Sequence, residues 1–167
     1  MRATPLTVIS PIRWWWKPWV RFTWLIARRL PIVAAPLRRL QFIHFARWAL
    51  LPGRRLLFLT SFDGSDIQYI EAFVRVVPGR IDALYRGAKG FPGPHRFRPV
   101  ARYIEEHSHG PVDHFWMAYP DASTRMVGQA LALVPAYERF EARVEGADAQ
   151  TFAREWRRFL SGAQRFL

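Results

Sequence analysis

Residues 41–51 and 55–61 of this 167-residue chain are rich in β-suited side chains and are separated only by Pro52-Gly53-Arg54. That spacing predicts an antiparallel hairpin, because the Pro-Gly turn is the one breaker in the stretch. Strict alternation places Phe42, His44, Ala46, Trp48 and Leu50 on one face, and Ile43, Phe45, Arg47, Ala49 and Leu51 on the other. Both faces are largely apolar, so the sheet is expected to be covered on both sides. With 50% of its residues apolar and 16% aromatic, the chain can supply such a core, and disorder along its whole length is excluded.

The remaining elements follow from breakers and caps. Thr7-Val8-Ile9-Ser10 is a short β-favouring run closed by Pro11, and a helix is expected over about 18–30, opened by Pro18 and ended by Pro31. Ser65 with Gln68 forms a capping box for a helix that buries Ile67, Ile70, Phe73, Val74 and Val77 and stops at Pro78-Gly79. Residues 87–99 are a loop, Val100, Tyr103, Ile104 and His107 mark a short helix, and 112–119 is a strand ended by Pro120. Helices over 122–134 and 148–160 follow, the last carrying Phe152, Trp156 and Phe159. The fold class expected is α+β, a ferredoxin-like βαββαβ unit with extra C-terminal helices. Its domain would span 1–135 and include the Trp/Arg-rich first helix, with 136–167 as a C-terminal helical extension. A second copy of the chain is the economical cover for the remaining sheet face, so a homodimer is expected.

Charge is concentrated at the front. Residues 1–62 hold eleven basic residues and no acidic one, which accounts for +11 of the formal +12. Such a basic front on a near-neutral body predicts an anionic partner. Only Lys17 and Lys89 are lysines, so arginine usage contributes to the total. No nucleic-acid motif accompanies the arginines, which ranks nucleic acid below a lipid surface. The absence of cysteine excludes a disulfide scaffold, a thiolate metal site and a cysteine nucleophile.

The helix over 18–30 is amphipathic: Trp15, Trp19, Phe22, Ile26 and Leu30 fall on one narrow face, with Arg13, Lys17, Arg21 and Arg28 opposite. Thirteen residues reach only about 20 Å, too short to span a bilayer, and the interrupting charges do not suit a secretory signal. The narrow apolar face is expected to pack on the sheet. Trp14, Trp16 and Trp24 then lie off that face, among the basic residues, where a headgroup boundary would hold both residue types. The expected location is the cytoplasm, peripheral to the cytoplasmic membrane.

Leu6-Thr7-Val8-Ile9-Ser10-Pro11, Phe42-Ile43-His44-Phe45-Ala46-Arg47-Trp48 and Leu57-Phe58-Leu59-Thr60-Ser61-Phe62-Asp63-Gly64-Ser65 with Tyr69-Ile70 resemble a group of largely uncharacterised bacterial proteins. In that group an HFARW strand precedes an FDGS turn. They are similar to the dimeric α+β barrel class, which includes dye-decolourising peroxidases. The resemblance covers about residues 5–120 and implies no established reaction. It does imply haem as an alternative cofactor, since those peroxidases carry an Asp-Gly dipeptide in the haem pocket that Asp63-Gly64 matches.

His44 and Asp63 are the candidate catalytic pair, because the hairpin register brings them together and a carboxylate would orient the imidazole. The competing structural role is a satisfied histidine closing the hairpin mouth. Arg47 is expected on the opposite face from His44. Asp63-Gly64-Ser65-Asp66 reads as turn and cap, since two carboxylates would repel an anion there. Glu105, Glu106, His107, His109, Asp113 and His114 form a dense run of ligand types whose spacing matches no metal signature, so no metal is assigned. The function expected is a non-catalytic or weakly ligand-binding domain at the membrane surface, with a haem-dependent oxidoreductase as the alternative.

Overall fold

The computed structural model describes residues 3–30, 40–109 and 115–166. Its chain divides into two units, Met1–Asp121 and Ala122–Leu167. The first holds β1 (Ala3–Pro11), α1 (Trp16–Arg29), β2 (Ile43–Leu51), β3 (Arg55–Asp63), α2 (Asp66–Val76), α3 (Pro78–Tyr85) and α4 (Phe97–His107). The second holds α5 (Thr124–Val144), α6 (Ala149–Ala163) and a terminal 3-10 turn. The boundary at 121/122 differs from the expected one, because residues 135 and 136 lie inside the continuous α5.

The three strands form an antiparallel sheet of order β1-β3-β2. The hairpin turns as its sequence requires, with Gly53 and then Arg54 at positive φ. Leu6, Val8, Leu56, Phe58, Phe62, Ala46, Trp48 and Leu50 share one face and enter a single core with the helices of this unit. The other face carries Thr7, Ile9, Leu57, Leu59, Ala49 and Leu51, all half-buried, with Phe45 and Arg47 exposed. Only the inner face contributes to that core, so the expected cover on both sides is found on one side within this unit.

Ser65 caps α2 by accepting from the Gln68 amide at 3.4 Å, and the helix buries Tyr69, Ile70, Phe73 and Val74. Ile67, expected inside, is 65% exposed because it sits in the first turn before the helix reaches the sheet. Pro78 ends α2 but also opens α3, where its missing N–H falls on a position that has no intrahelical acceptor. Of the fourth strand expected over 112–119, residues 115–119 are not strand and 112–114 lie outside the described residues.

In the second unit Ser123 and Asp148 cap α5 and α6 by accepting from Met126 and Thr151 amides. Helix α5 runs on through Pro135, where a stop was expected. The buried Phe140 ring, packed by Phe152, Trp156 and Phe159 of α6, together with an Arg143–Glu155 ion pair at 3.4 Å, holds the helix past that break.

Candidate functional site

The site is built around α1, whose orientation is set by two indoles. Trp16 Nε1 donates to the Leu84 carbonyl and Trp19 Nε1 to the Ala83 carbonyl, each at 3.0 Å. Both acceptors lie in the last turn of α3, where carbonyls lack intrahelical donors. Gly87 completes the dock: a β-carbon there would overlap the Trp16 ring. Arg13 N–H donates to the Gly87 carbonyl at 2.9 Å, and Lys89 N–H to that of Pro11 at 2.8 Å.

This dock turns the helix away from its expected face. Trp16 and Val20 are the buried residues of α1, and Trp24 packs against the same core. Trp15, Trp19, Phe22 and Leu30, expected inside, are between 43% and 51% exposed. So of the three tryptophans expected at a membrane, Trp14 is outside at 70% exposure while Trp16 and Trp24 are turned in. The outer arc instead combines Trp15, Trp19, Phe22 and Leu25 with Arg13, Arg21, Arg28 and Arg29, and Lys17 is half-buried beside them. Trp15, Trp16, Trp19 and Phe22 form a continuous ring row with centroids 5.4 to 5.9 Å apart, and Arg13 lies over Trp15 at 5.8 Å. No helix among the described residues is long and apolar enough to cross a membrane.

Between α1, the inner sheet face, α2, α3 and α4 lies a cavity of about 710 Å³. Its walls are Trp48 and Phe58 of the sheet, Ile70 and Phe73 of α2, and Trp19, Phe22 and Ile26 of α1. The small residues Ala27, Gly79 and Ala83 leave the space open, and exposed Phe22, Val76 and Gly79 mark its mouth. Arg80 is the one charged side chain among the lining residues, and no carboxylate pairs with it among the described residues. The cavity went unforeseen because periodicity predicts which residues turn inward, not whether opposing layers meet; the clustered small residues on α3 were the available signal.

Three tyrosines also line it. Burial pushes the Tyr85 hydroxyl up strongly, reinforced by Tyr103 and Tyr69 and opposed by the neighbouring Trp48 N–H. Burial likewise raises Tyr69, against the Thr60 hydrogen bond, and raises Tyr103, against Ser10. Tyr69 O–H donates to Thr60 Oγ1 at 3.1 Å, and Thr60 donates to the Phe45 carbonyl at 2.8 Å. The Trp48 N–H and the Ser10 and Tyr103 hydroxyls are buried without hydrogen-bond geometry to any partner.

His44 and Asp63 do meet, Nε2 to Oδ1 at 2.9 Å. A bulge between Ile43 and Phe45 brings this about, since Ile43 pairs with Phe62 and Phe45 with Ser61, leaving His44 as the extra residue. The bulge breaks the alternation. His44 joins Asp63 on the outer face, where Arg47 also lies opposite Leu59, so the expected separation of His44 and Arg47 does not hold. The pair is thus on the far side of the sheet from the cavity. A haem does not fit these residues: the cavity lining offers no imidazole, thiolate or thioether, its tyrosines are held neutral, and His44 faces away from it.

The acidic and histidine run at the end of α4 is otherwise engaged. Glu106 pairs with Arg102 at 2.8 Å, while His107 Nδ1 lies 2.8 Å from the Tyr103 carbonyl and its ring stacks on Tyr103. His109 N–H donates to Thr7, and Asp113 and His114 lie outside the described residues. No group of three ligand-type side chains converges among the described residues. Comparison with known proteins finds no matching family model, curated protein or solved structure.

Proposed function

We propose that this chain is a non-catalytic binding domain that attaches to anionic membrane surfaces through α1. The observation that carries the reading is the outer arc of α1, where exposed Trp15, Trp19, Phe22 and Leu25 stand beside Arg13, Arg21, Arg28 and Arg29. Indole and alkyl groups gain by entering the headgroup boundary, and each basic residue near an anionic leaflet contributes about 1 kcal/mol. The absence of any acidic residue before Asp63 means that nothing on this segment opposes the attraction.

The scaffold we read as ferredoxin-like. In support, β1 and β2 run the same way with β3 antiparallel between them, and Ser108 makes an antiparallel bridge to Val8 on the β1 edge where a fourth strand of that fold belongs.

Vesicle co-sedimentation tests the membrane reading. Binding to phosphatidylglycerol vesicles is expected to exceed binding to phosphatidylcholine and to fall as salt rises. Arg21→Gln with Arg28→Gln removes about 2 kcal/mol, so affinity should drop about thirtyfold. Equal binding to neutral and anionic vesicles, or no binding, overturns the proposal.

A further inference from the structure

We infer that the cavity beneath α1 is a binding site for a single-chain anionic amphiphile, with its hydrocarbon tail between α1 and the sheet and its carboxylate at Arg80. The inference does not rest on α1 meeting a membrane; it rests on the chemistry of the lining. A volume of about 710 Å³ falls within the roughly 300–1,000 Å³ of small-molecule sites. The walls are ring and alkyl groups from four helices and two strands. Few polar atoms are among them: Tyr69 is committed to Thr60 and Thr23 to the Val20 carbonyl, and the Trp48 N–H and Tyr103 hydroxyl are buried. A ligand with polar groups along its length would lose their hydration without replacement, whereas a hydrocarbon chain loses nothing.

The charge at the mouth fixes the other end of the ligand. Arg80 is half-buried, lines the cavity beside exposed Gly79 and Val76, and has no carboxylate partner among the described residues. A guanidinium offers a forked pair of donors that suits a carboxylate, and partial burial strengthens the contact. A neutral lipid would leave that charge unanswered, and an amine would be repelled by it.

The test uses the full chain in lipid-free buffer with cis-parinaric acid, a fluorescent fatty acid, as probe and palmitate as competitor, both below their aggregation limits. One probe molecule per chain is expected, displaced by palmitate and, more weakly, by hexadecanol. Gly79→Phe places a ring at the mouth, at a position where an added β-carbon meets nothing within 4 Å; it should reduce probe affinity at least tenfold. Arg80→Gln should weaken palmitate about tenfold and leave hexadecanol unchanged. Unchanged probe affinity in Gly79→Phe, or equal loss of palmitate and hexadecanol in Arg80→Gln, overturns the inference. So does probe binding that weakens as protein concentration rises, which would mean that a second copy of the chain occupies the groove. The same Gly79→Phe protein should retain vesicle binding, so the loss of one activity is separable from the loss of the other.

Discussion

The Trp16 ring occupies the space that a side chain on Gly87 would need, across a separation of 71 residues in sequence. Helix α1 therefore sits where it does because position 87 has no β-carbon. Gly87→Ala is expected to destabilise the first unit by about 1–3 kcal/mol, the usual cost of overpacking a well-filled site. Combining it with Trp16→Leu should recover part of that loss, because the smaller side chain vacates the space. Urea denaturation of the three variants checks this, and a double variant no more stable than the sum of the single losses would refute the contact as its cause.

The hairpin was legible in the sequence because turn chemistry and β-suited composition agree over 41–61. The facing of residues 45–51 was legible too, and only Ile43 and His44 change sides, because the bulge at His44 shifts the phase there and a bulge leaves no mark in composition. The facing of α1 was not legible. Two apolar arcs overlap on that helix, one through Trp15, Trp19 and Phe22 and one through Trp16, Val20 and Trp24. Which one packs inward is decided by Gly87 and by the free carbonyls of Ala83 and Leu84, distant in sequence. Periodicity supplies the helix and the two candidate faces; tertiary partners choose between them. His44 and Asp63, expected together from the hairpin register, do meet, but through the bulge, and they face away from the cavity that the sequence did not announce.

The relay from Tyr69 through Thr60 ends on the carbonyl of Phe45, the residue that follows the bulge. Thr60→Val keeps the shape of the side chain but removes both hydrogen bonds at a fully buried position. A loss of about 1–3 kcal/mol is expected, larger than for Tyr69→Phe, which deletes one end of the relay. Chemical denaturation ranks the two, and an equal or reversed order would show that the Thr60 bond to the Phe45 carbonyl adds nothing to the stability.

Alkaline pH should weaken the first unit. Burial holds Tyr85 and Tyr69 protonated in the fold beyond the pH at which exposed tyrosines ionise. In the unfolded chain both titrate near pH 10, so above that pH the unfolded state releases protons that the native state keeps. The stabilisation is complete below about pH 10 and declines as pH rises, by up to about 1.4 kcal/mol per pH unit for each group. Urea midpoints measured between about pH 9 and 11 should fall, and Tyr85→Phe should flatten the decline. A wild-type midpoint that stays level over that range would contradict neutral, buried hydroxyls.

The second unit offers a gain. Pro135 lies exposed within α5, where it lacks the N–H that would reach the Leu131 carbonyl and its ring crowds that carbonyl. The helix continues because Phe140 is clamped by three aromatic rings of α6 and Arg143 is paired with Glu155. Packing beyond the proline thus outweighs a penalty of up to about 3 kcal/mol for the residue itself. Pro135→Ala restores the donor and removes the crowding, so it is expected to stabilise α5 by about 1–3 kcal/mol and to raise helical circular dichroism slightly. Phe140→Ala should act in the opposite sense, losing about 3–5 kcal/mol by emptying the clamp. Combined, the two test which force carries the helix past position 135. If packing does, Pro135→Ala should rescue helicity in the Phe140→Ala background more than it adds to the wild type. A rescue no greater than the wild-type gain would mean that the helix crosses the proline without help from α6.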